Sequence, residues 1–308
     1  MDEYISLKDR VAVVTGAGRG LGKAYVELLA ERGAMVVVND LGTDPSGAGN
    51  DSSVAKEVVE QIIAAGGQAI SDGNDVSTPA GGQAIVDRAV REFGGVDILV
   101  NNAGICGNQP FLNATLEDFE HYWRIHLGGH VNLCKAVWPL MIAQNRGRII
   151  MTESGAGLYG LAGQATYAAA KGAVHGLMRT LALEGAEHGI LVNSVAPGGF
   201  TRLQEAAVDD PDMLSMLKES LAPELVAPAI VWLASDECRA NGQVISAWNG
   251  RVVRTVIGAG TGLRNLSLTP DTVLAGYESV TSTDSLYEPR DALDDVATWL
   301  GRWDLVRR

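Results

Sequence analysis

Along roughly the first two hundred residues, short apolar runs alternate with longer segments in which apolar side chains recur every three to four positions. The runs at 11–15, 35–39, 96–100, 148–152 and 190–195 are rich in Val and Ile and show no polar alternation. That is the pattern of strands covered on both faces. Residues 68–71 give a weaker strand. Helix-length stretches lie between them at 20–32, 53–65, 80–93, 116–145 and 164–188. Regular alternation of strand and helix predicts an α/β fold, a doubly wound parallel sheet with helices on both faces. Right-handed crossovers then bring the strand C-terminal ends to one edge, where ligands bind.

The segment 41–52 is rich in Gly, Asp, Ser and Pro and reads as an exposed loop after the second strand. A dinucleotide-binding and catalytic domain is expected over 1–247. Residues 248–308 form a C-terminal extension, packed on the same domain or on a dimer partner, with a helix start at Thr269-Pro270-Asp271 and a short helix over 290–299. There is no internal repeat and no heptad pattern.

Composition narrows the function classes. The 308 residues carry a net charge of −13, which argues against nucleic acid, whose affinity comes largely from Lys and Arg on phosphate, and against an anionic membrane surface. No apolar run approaches the ~20 residues of a membrane helix, and the polar, acidic N-terminus does not read as a signal peptide. Cys106, Cys134 and Cys238 have no metal-site spacing and are expected to be reduced and mostly buried, in a cytoplasmic protein. No metal site is expected.

Two constellations carry chemistry. After the first strand the chain reads Thr15-Gly16-Ala17-Gly18-Arg19-Gly20-Leu21-Gly22 and enters a helix. Glycines at 16, 20 and 22 let the backbone approach a pyrophosphate, which the free N–H groups of the helix start then face. Asp40 ends the second strand and can accept both ribose hydroxyls, which favours NAD over NADP; Arg19 is the contrary signal, a cation able to pair with a 2′-phosphate. Asp75-Val76 is a candidate for the adenine edge, or an ordinary turn. The second constellation is Ser154, Tyr167 and Lys171. Tyr167 and Lys171 share one helix face at i and i+4. A nearby ammonium favours the phenolate and so lowers the tyrosine pKa, suiting it to proton exchange with a hydroxyl, and Ser154 can hydrogen-bond the same oxygen.

The pattern Thr15-Gly16-x-x-x-Gly20-x-Gly22, Asn101-Asn102-Ala103-Gly104, Ser154, Tyr167-x-x-x-Lys171 and Pro197-Gly198 resembles the classical short-chain dehydrogenase/reductase family over about residues 7–247. The resemblance implies a Rossmann-type sheet and a nicotinamide cofactor. It makes Tyr167 the general acid/base, Ser154 the group that orients the substrate, and Lys171 the residue that binds the nicotinamide ribose and lowers the tyrosine pKa. It also implies cofactor contacts from Gly18, Leu21, Asn102, Ala103, Gly104, Pro197, Gly198 and Thr201. One departure is His126, which stands where the family often carries an Asn that helps a proton relay; it is either a relay imidazole or a packed helix histidine.

Longer stretches, among them Val37-Val38-Asn39-Asp40-Leu41-Gly42 and Pro223-Glu224-Leu225-Val226-Ala227-Pro228, are similar to the dehydrogenase regions of peroxisomal multifunctional enzymes of type 2. This implies NAD-dependent oxidation of (3R)-3-hydroxyacyl-CoA to 3-oxoacyl-CoA. A 17β-hydroxysteroid dehydrogenase acting on free steroids is the alternative, and a non-catalytic NAD-binding protein is the reading from another class. An anionic acyl-CoA needs local cations to offset the charge of −13, with Arg202, Arg251 and Arg254 as candidates. The Leu, Trp and Met residues between Phe200 and Trp232 are candidates for an apolar pocket. The family resemblance further implies a homodimer or homotetramer paired through the long helices.

Overall fold

The computed structural model describes residues 4–44, 46–199 and 210–300. Compactness divides the chain into residues 1–254 and 255–308.

In the first unit the apolar runs become β1 (Val11–Thr15), β2 (Met35–Asn39), β3 (Gln68–Asp72), β4 (Ile98–Asn101), β5 (Gly147–Thr152) and β6 (Ile190–Pro197). The later strands are β7 (Val244–Trp248) and β8 (Arg251–Thr255). They form one sheet in the order β3-β2-β1-β4-β5-β6-β7-β8. Every pair from β3 to β7 is parallel. The Asn249-Gly250 connection has φ of 50° and 69°, the left-handed pair of a two-residue hairpin, so β8 turns back as an edge strand. The sheet therefore outlasts the expected boundary at 247, which falls inside β7.

The helices are α1 (Gly20–Glu31), α2 (Ser53–Ala64), α3 (Pro79–Phe93), α4 (Leu116–Tyr122), α5 (Gly129–Ala143), α6 (Gly155–Tyr159), α7 (Ala165–Gly185), α8 (Pro211–Ser220) and α9 (Ala227–Ala234). The stretch expected as one helix over 116–145 is interrupted: Trp123–Gly128 widens into a π turn between α4 and α5. Alternate strand residues feed two cores. Val14, Val36, Val38, Ile98 and Ile150 pack with Tyr25 and Leu29 of α1, Val58 and Ile62 of α2 and Ile230 of α9. Val13, Val37, Leu99, Ile149 and Met151 pack with Ile85 of α3, Leu133 and Met141 of α5 and Val174 and Met178 of α7. The chain order reverses between β1 and β4, so the crevice of a doubly wound sheet opens beyond the C-terminal ends of those two strands.

The second unit holds short helices Pro270–Ala275, Tyr277–Thr281 and Ala292–Leu300. The first starts at the expected place, with Thr269 and Thr272 forming a reciprocal cap. Ala259 and Tyr287 form an antiparallel bridge, and Arg290 pairs with Asp294 at 2.8 Å.

Candidate active site

The β1–α1 turn is built by glycine. Gly16 and Gly20 sit at φ of +62° and +51°, the left-handed region that L side chains disfavour. At Gly22 the limit is space: a Cβ would stand 2.1 Å from the Gly16 carbonyl oxygen. Thr15 locks this turn to the end of β4, its Oγ1 accepting from the N–H groups of Asn102 and Ala103, both at 3.0 Å. Asn102 returns two bonds through Nδ2, to the carbonyls of Thr15 and Gly16.

A cleft of about 310 Å³ lies along this edge, lined among others by Gly16, Arg19, Asp40, Asp75, Asn102 and Gly104. Val76 and Ala103 line it too. The Asp40 carboxylate is held by two backbone donors, Gly18 N at 2.8 Å and Gly42 N at 2.7 Å. Each oxygen keeps acceptor capacity for a further donor. Arg19 turns to the neighbouring loop, donating from Nη1 to the Thr43 carbonyl at 3.3 Å. The Asp75 carboxylate closes its own turn on Ser77, and Asn132 of α5 fixes the next carbonyl, of Val76, at 2.9 Å. Asp75 is thus a turn residue that also faces the cleft.

Ser154, Tyr167 and Lys171 come together beyond β5. Ser154 caps α6, its Oγ accepting from Ala156 N at 3.2 Å. Its hydroxyl neighbours the phenol of Tyr167 and favours the phenolate form. One turn along α7, buried Lys171 donates from Nζ to the Thr152 carbonyl at 2.6 Å, 5.7 Å from the centre of the tyrosine ring. Burial pushes the Tyr167 phenol up to about 12, against the smaller opposing pull of Ser154. Burial also pushes Lys171 down to about 8. Among the protein groups, desolvation of the phenol outweighs the influence of Ser154, which favours its charged form.

His126 lies in the π turn and is buried. Its Nε2 approaches the Ile105 carbonyl at 2.8 Å, and its Nδ1 is buried without a partner. The ring meets Tyr167 edge-on at 5.2 Å and stacks on Tyr122 at 5.9 Å. Burial, helped by Lys171, holds its pKa well below the usual histidine range. Gly104 makes room for it, since a Cβ there would stand 2.4 Å from His126 Cε1.

Pro197 ends β6, and Gly198 donates to the Ala247 carbonyl at 2.9 Å while fitting tightly against Trp248. Leu21 packs against Gly199, at the chain leaving β6. Thr201 and Arg202 lie outside the described residues. Glu153 is the neighbour that sequence reasoning passed over. It is 1% exposed, its Oε1 accepting from the Ser194 hydroxyl at 2.6 Å. A carboxylate directly after an apolar strand and before the candidate serine was the available signal. The three cysteines are free thiols, with Cys134 and Cys238 buried. Among the described residues no group of ligand side chains could hold a metal, and no helix is long and apolar enough to cross a membrane.

Comparison with known proteins agrees with this geometry. The short chain dehydrogenase family matches residues 10–211. The chain is 40% identical over 285 residues to mouse peroxisomal multifunctional enzyme type 2, a match that covers 91% of this chain and 38% of that protein. It thus spans little more than a third of that relative. The full-length type 2 enzyme of Drosophila melanogaster superposes with a TM-score of 0.80 at 32% identity, over 98% of this chain and 51% of that one. A 7α-hydroxysteroid dehydrogenase, solved with NADH and 7-oxo glycochenodeoxycholic acid, gives 0.71 at 30% identity, over 83% and 98%. The chain is an oxidoreductase that belongs to the short-chain dehydrogenase family.

Proposed function

We propose that the protein oxidises a secondary alcohol with NAD, and that its substrate is a (3R)-3-hydroxyacyl-CoA. The observation that carries the reaction type is the gathering of Ser154 beside the buried Tyr167 phenol with Lys171 one turn away. Ser154 and Tyr167 converge where a substrate hydroxyl can be held by both. Tyr167 takes the proton as the alcohol becomes a carbonyl, while Lys171, one turn along α7, would hold the cofactor ribose. NAD, when bound, supplies the hydride acceptor and a positive charge that favours the phenolate. The cradle fits such a cofactor: Gly16 and Gly22 have no room for a Cβ, and Asp40 presents a pinned carboxylate to the cleft. That carboxylate favours NAD, because Arg19 is drawn to Thr43. His126 serves here as the packed neighbour of Tyr167 rather than as a relay, because an imidazole with its pKa held low by burial takes up a proton poorly.

The acyl-CoA assignment rests on the resemblance to the type 2 multifunctional enzymes. A free hydroxysteroid is the second reading, favoured by the likeness to the 7α-hydroxysteroid dehydrogenase. Arg251 and Arg254 project from opposite faces of β8, three residues apart, and do not form one cationic patch. Of the proposed apolar lining, Trp232 packs on the core whereas Met213 and Met216 are exposed. Assembly into a homodimer or homotetramer is supported by an apolar cleft of about 290 Å³ between α5 and α7, lined by Val131, Trp138, Pro139, Leu177 and Leu181 among others.

The test follows NADH formation with (3R)- and (3S)-3-hydroxyacyl-CoA of one chain length. Selective reaction of the 3R isomer is expected. Failure with both isomers in a protein that binds NAD overturns the acyl-CoA reading and moves the assignment to free hydroxysteroids.

A further inference from the structure

Glu153 has no role in the reaction as set out so far, yet it lies between the buried strand β5 and Ser154. Its Oε1 accepts from Ser194 at 2.6 Å and meets His175 Nδ1 at 3.3 Å. Its Oε2 is buried with no hydrogen-bond partner. The Lys171 ammonium bonds the Thr152 carbonyl, which belongs to the peptide leading into Glu153. Tyr167, Lys171 and His175 follow one another at intervals of four residues on α7, so they share a helix face. Lys171 and His175 are therefore both turned to the 152–153 segment.

A buried ammonium is expensive unless it is paired. Among the described residues, the titratable groups around Lys171 are Glu153 after β5, Cys106 after β4, His126 of the π turn, His130 of α5, and Tyr167 and His175 of its own helix. Glu153 is the one carboxylate among them. Burial pushes Cys106 up, toward the neutral thiol, and both buried histidines are held toward the neutral imidazole. Against the burial of Lys171, Glu153 is the largest influence favouring its charged form.

We propose that Glu153 is a positioning residue for the dehydrogenase reaction: anchored by Ser194 and His175, its carboxylate is the counter-charge that keeps buried Lys171 an ammonium. The inference rests on the reading of Lys171 as the partner of Tyr167 and the cofactor ribose.

Glu153→Gln keeps the size of the side chain and an acceptor for Ser194 while removing the charge. A nearby opposite charge shifts its partner by about 1–3 pH units. The Lys171 midpoint of about 8, followed by ¹³C NMR of the lysine Cε and assigned from Lys171→Met, should fall by about one unit or more. The alkaline limb of kcat/KM should move with it, a roughly fivefold loss at about pH 8. Glu153→Asp, which keeps the charge, should restore most of the shift. A loss of stability alone would lower amplitude and Tm and leave the midpoint in place. An unchanged Lys171 midpoint in folded Glu153→Gln, or equal midpoints for the Gln and Asp variants, overturns the proposal. Should Glu153→Gln fail to fold, Ser194→Ala loosens the anchor instead; a lowered midpoint supports the proposal and an unchanged one overturns it. The NMR midpoint is read without turnover. Persistent activity in Lys171→Met would refute the role of the lysine, and is thus distinguishable from failure of the proposal for Glu153.

Discussion

Gly18→Ala tests whether the glycine turn and the ribose carboxylate act as one unit. The backbone of Gly18 is not in the left-handed region, so the substitution is opposed by space and not by φ. A Cβ built there stands 2.3 Å from Val54 Cγ1 and 2.9 Å from Asp40 Oδ2, where carbon contacts are ordinarily about 3.5–4.0 Å. Val54 or the turn must therefore yield by more than about 1 Å, and such overpacking costs about 1–3 kcal/mol. The same movement strains the 2.8 Å bond from Gly18 N to Asp40, and a hydrogen bond to a charged group contributes about 1.5–3 kcal/mol. A net loss of about 2 kcal/mol lowers Tm by about 4–8 °C in a domain of this size. Asp40 keeps Gly42 N but loses its fixed direction toward the cleft. We therefore expect KM for NAD to rise by about tenfold, the equivalent of about 1.4 kcal/mol, with a smaller change for NADP. The assay is initial rate against each cofactor beside a thermal melt. A variant whose Tm and NAD-to-NADP preference both match the parent would refute the coupling. Gly20→Ala is the contrast: nothing lies within 4 Å of its Cβ and φ is +51°, so about 1–2 kcal/mol of left-handed strain is expected with no steric part.

Tyr167→Phe should lose about 100- to 10,000-fold in kcat while still binding NAD by fluorescence titration; near-normal turnover would remove Tyr167 from the proton-transfer role. With the phenol pushed up to about 12 and Lys171 down to about 8, oxidation needs the scarce phenolate. Its kcat/KM should climb with pH and bend over near 8 as Lys171 loses its charge, whereas ketone reduction, which draws a proton from the phenol, should stay level up to that point. Parallel profiles in the two directions would contradict these assignments. Thr15→Val removes the acceptor of two backbone N–H groups, and at about 1–3 kcal/mol for each one left unsatisfied it should destabilise by about 2–6 kcal/mol in denaturant unfolding; a change within experimental scatter would show that the junction of β1 and β4 holds without it. The net charge of −13 opposes an anionic thioester at long range, and salt screens that repulsion with a Debye length of about 10 Å at 0.1 M. The kcat/KM for acyl-CoA should therefore rise with salt, and a fall would reveal a local cationic site strong enough to dominate the net field.

What the sequence disclosed, and what it withheld, follows from the range over which each feature is set. Strands β1 and β2 are legible because a parallel strand buried on both faces is largely apolar, and each of these runs through apolar residues, Val11 to Val14 and Met35 to Val38, before closing on a buried polar one, Thr15 or Asn39. Edge strand β8 is not, since Arg251 and Arg254 on an exposed ribbon look like any polar loop. The π turn at Trp123–Gly128 escaped for another reason: six residues are too few for a periodicity to separate a widened turn from an ordinary one. That turn nevertheless decides what His126 does, because it sets the imidazole edge-on to Tyr167 with Nε2 at the Ile105 backbone. The residues of the candidate site were readable as types at spacings. Their electrostatics were not, because the i, i+4 relation of Tyr167 and Lys171 says nothing of how deeply either is buried. Burial pushes the phenol up and the ammonium down, and so leaves Lys171 in need of a counter-charge. The carboxylate best placed to supply it, Glu153, comes from another element and is turned toward α7 by Ser194 and His175. The chemistry of this site is thus written on one helix face, while the charge state that permits it depends on a residue no spacing rule on that helix could find.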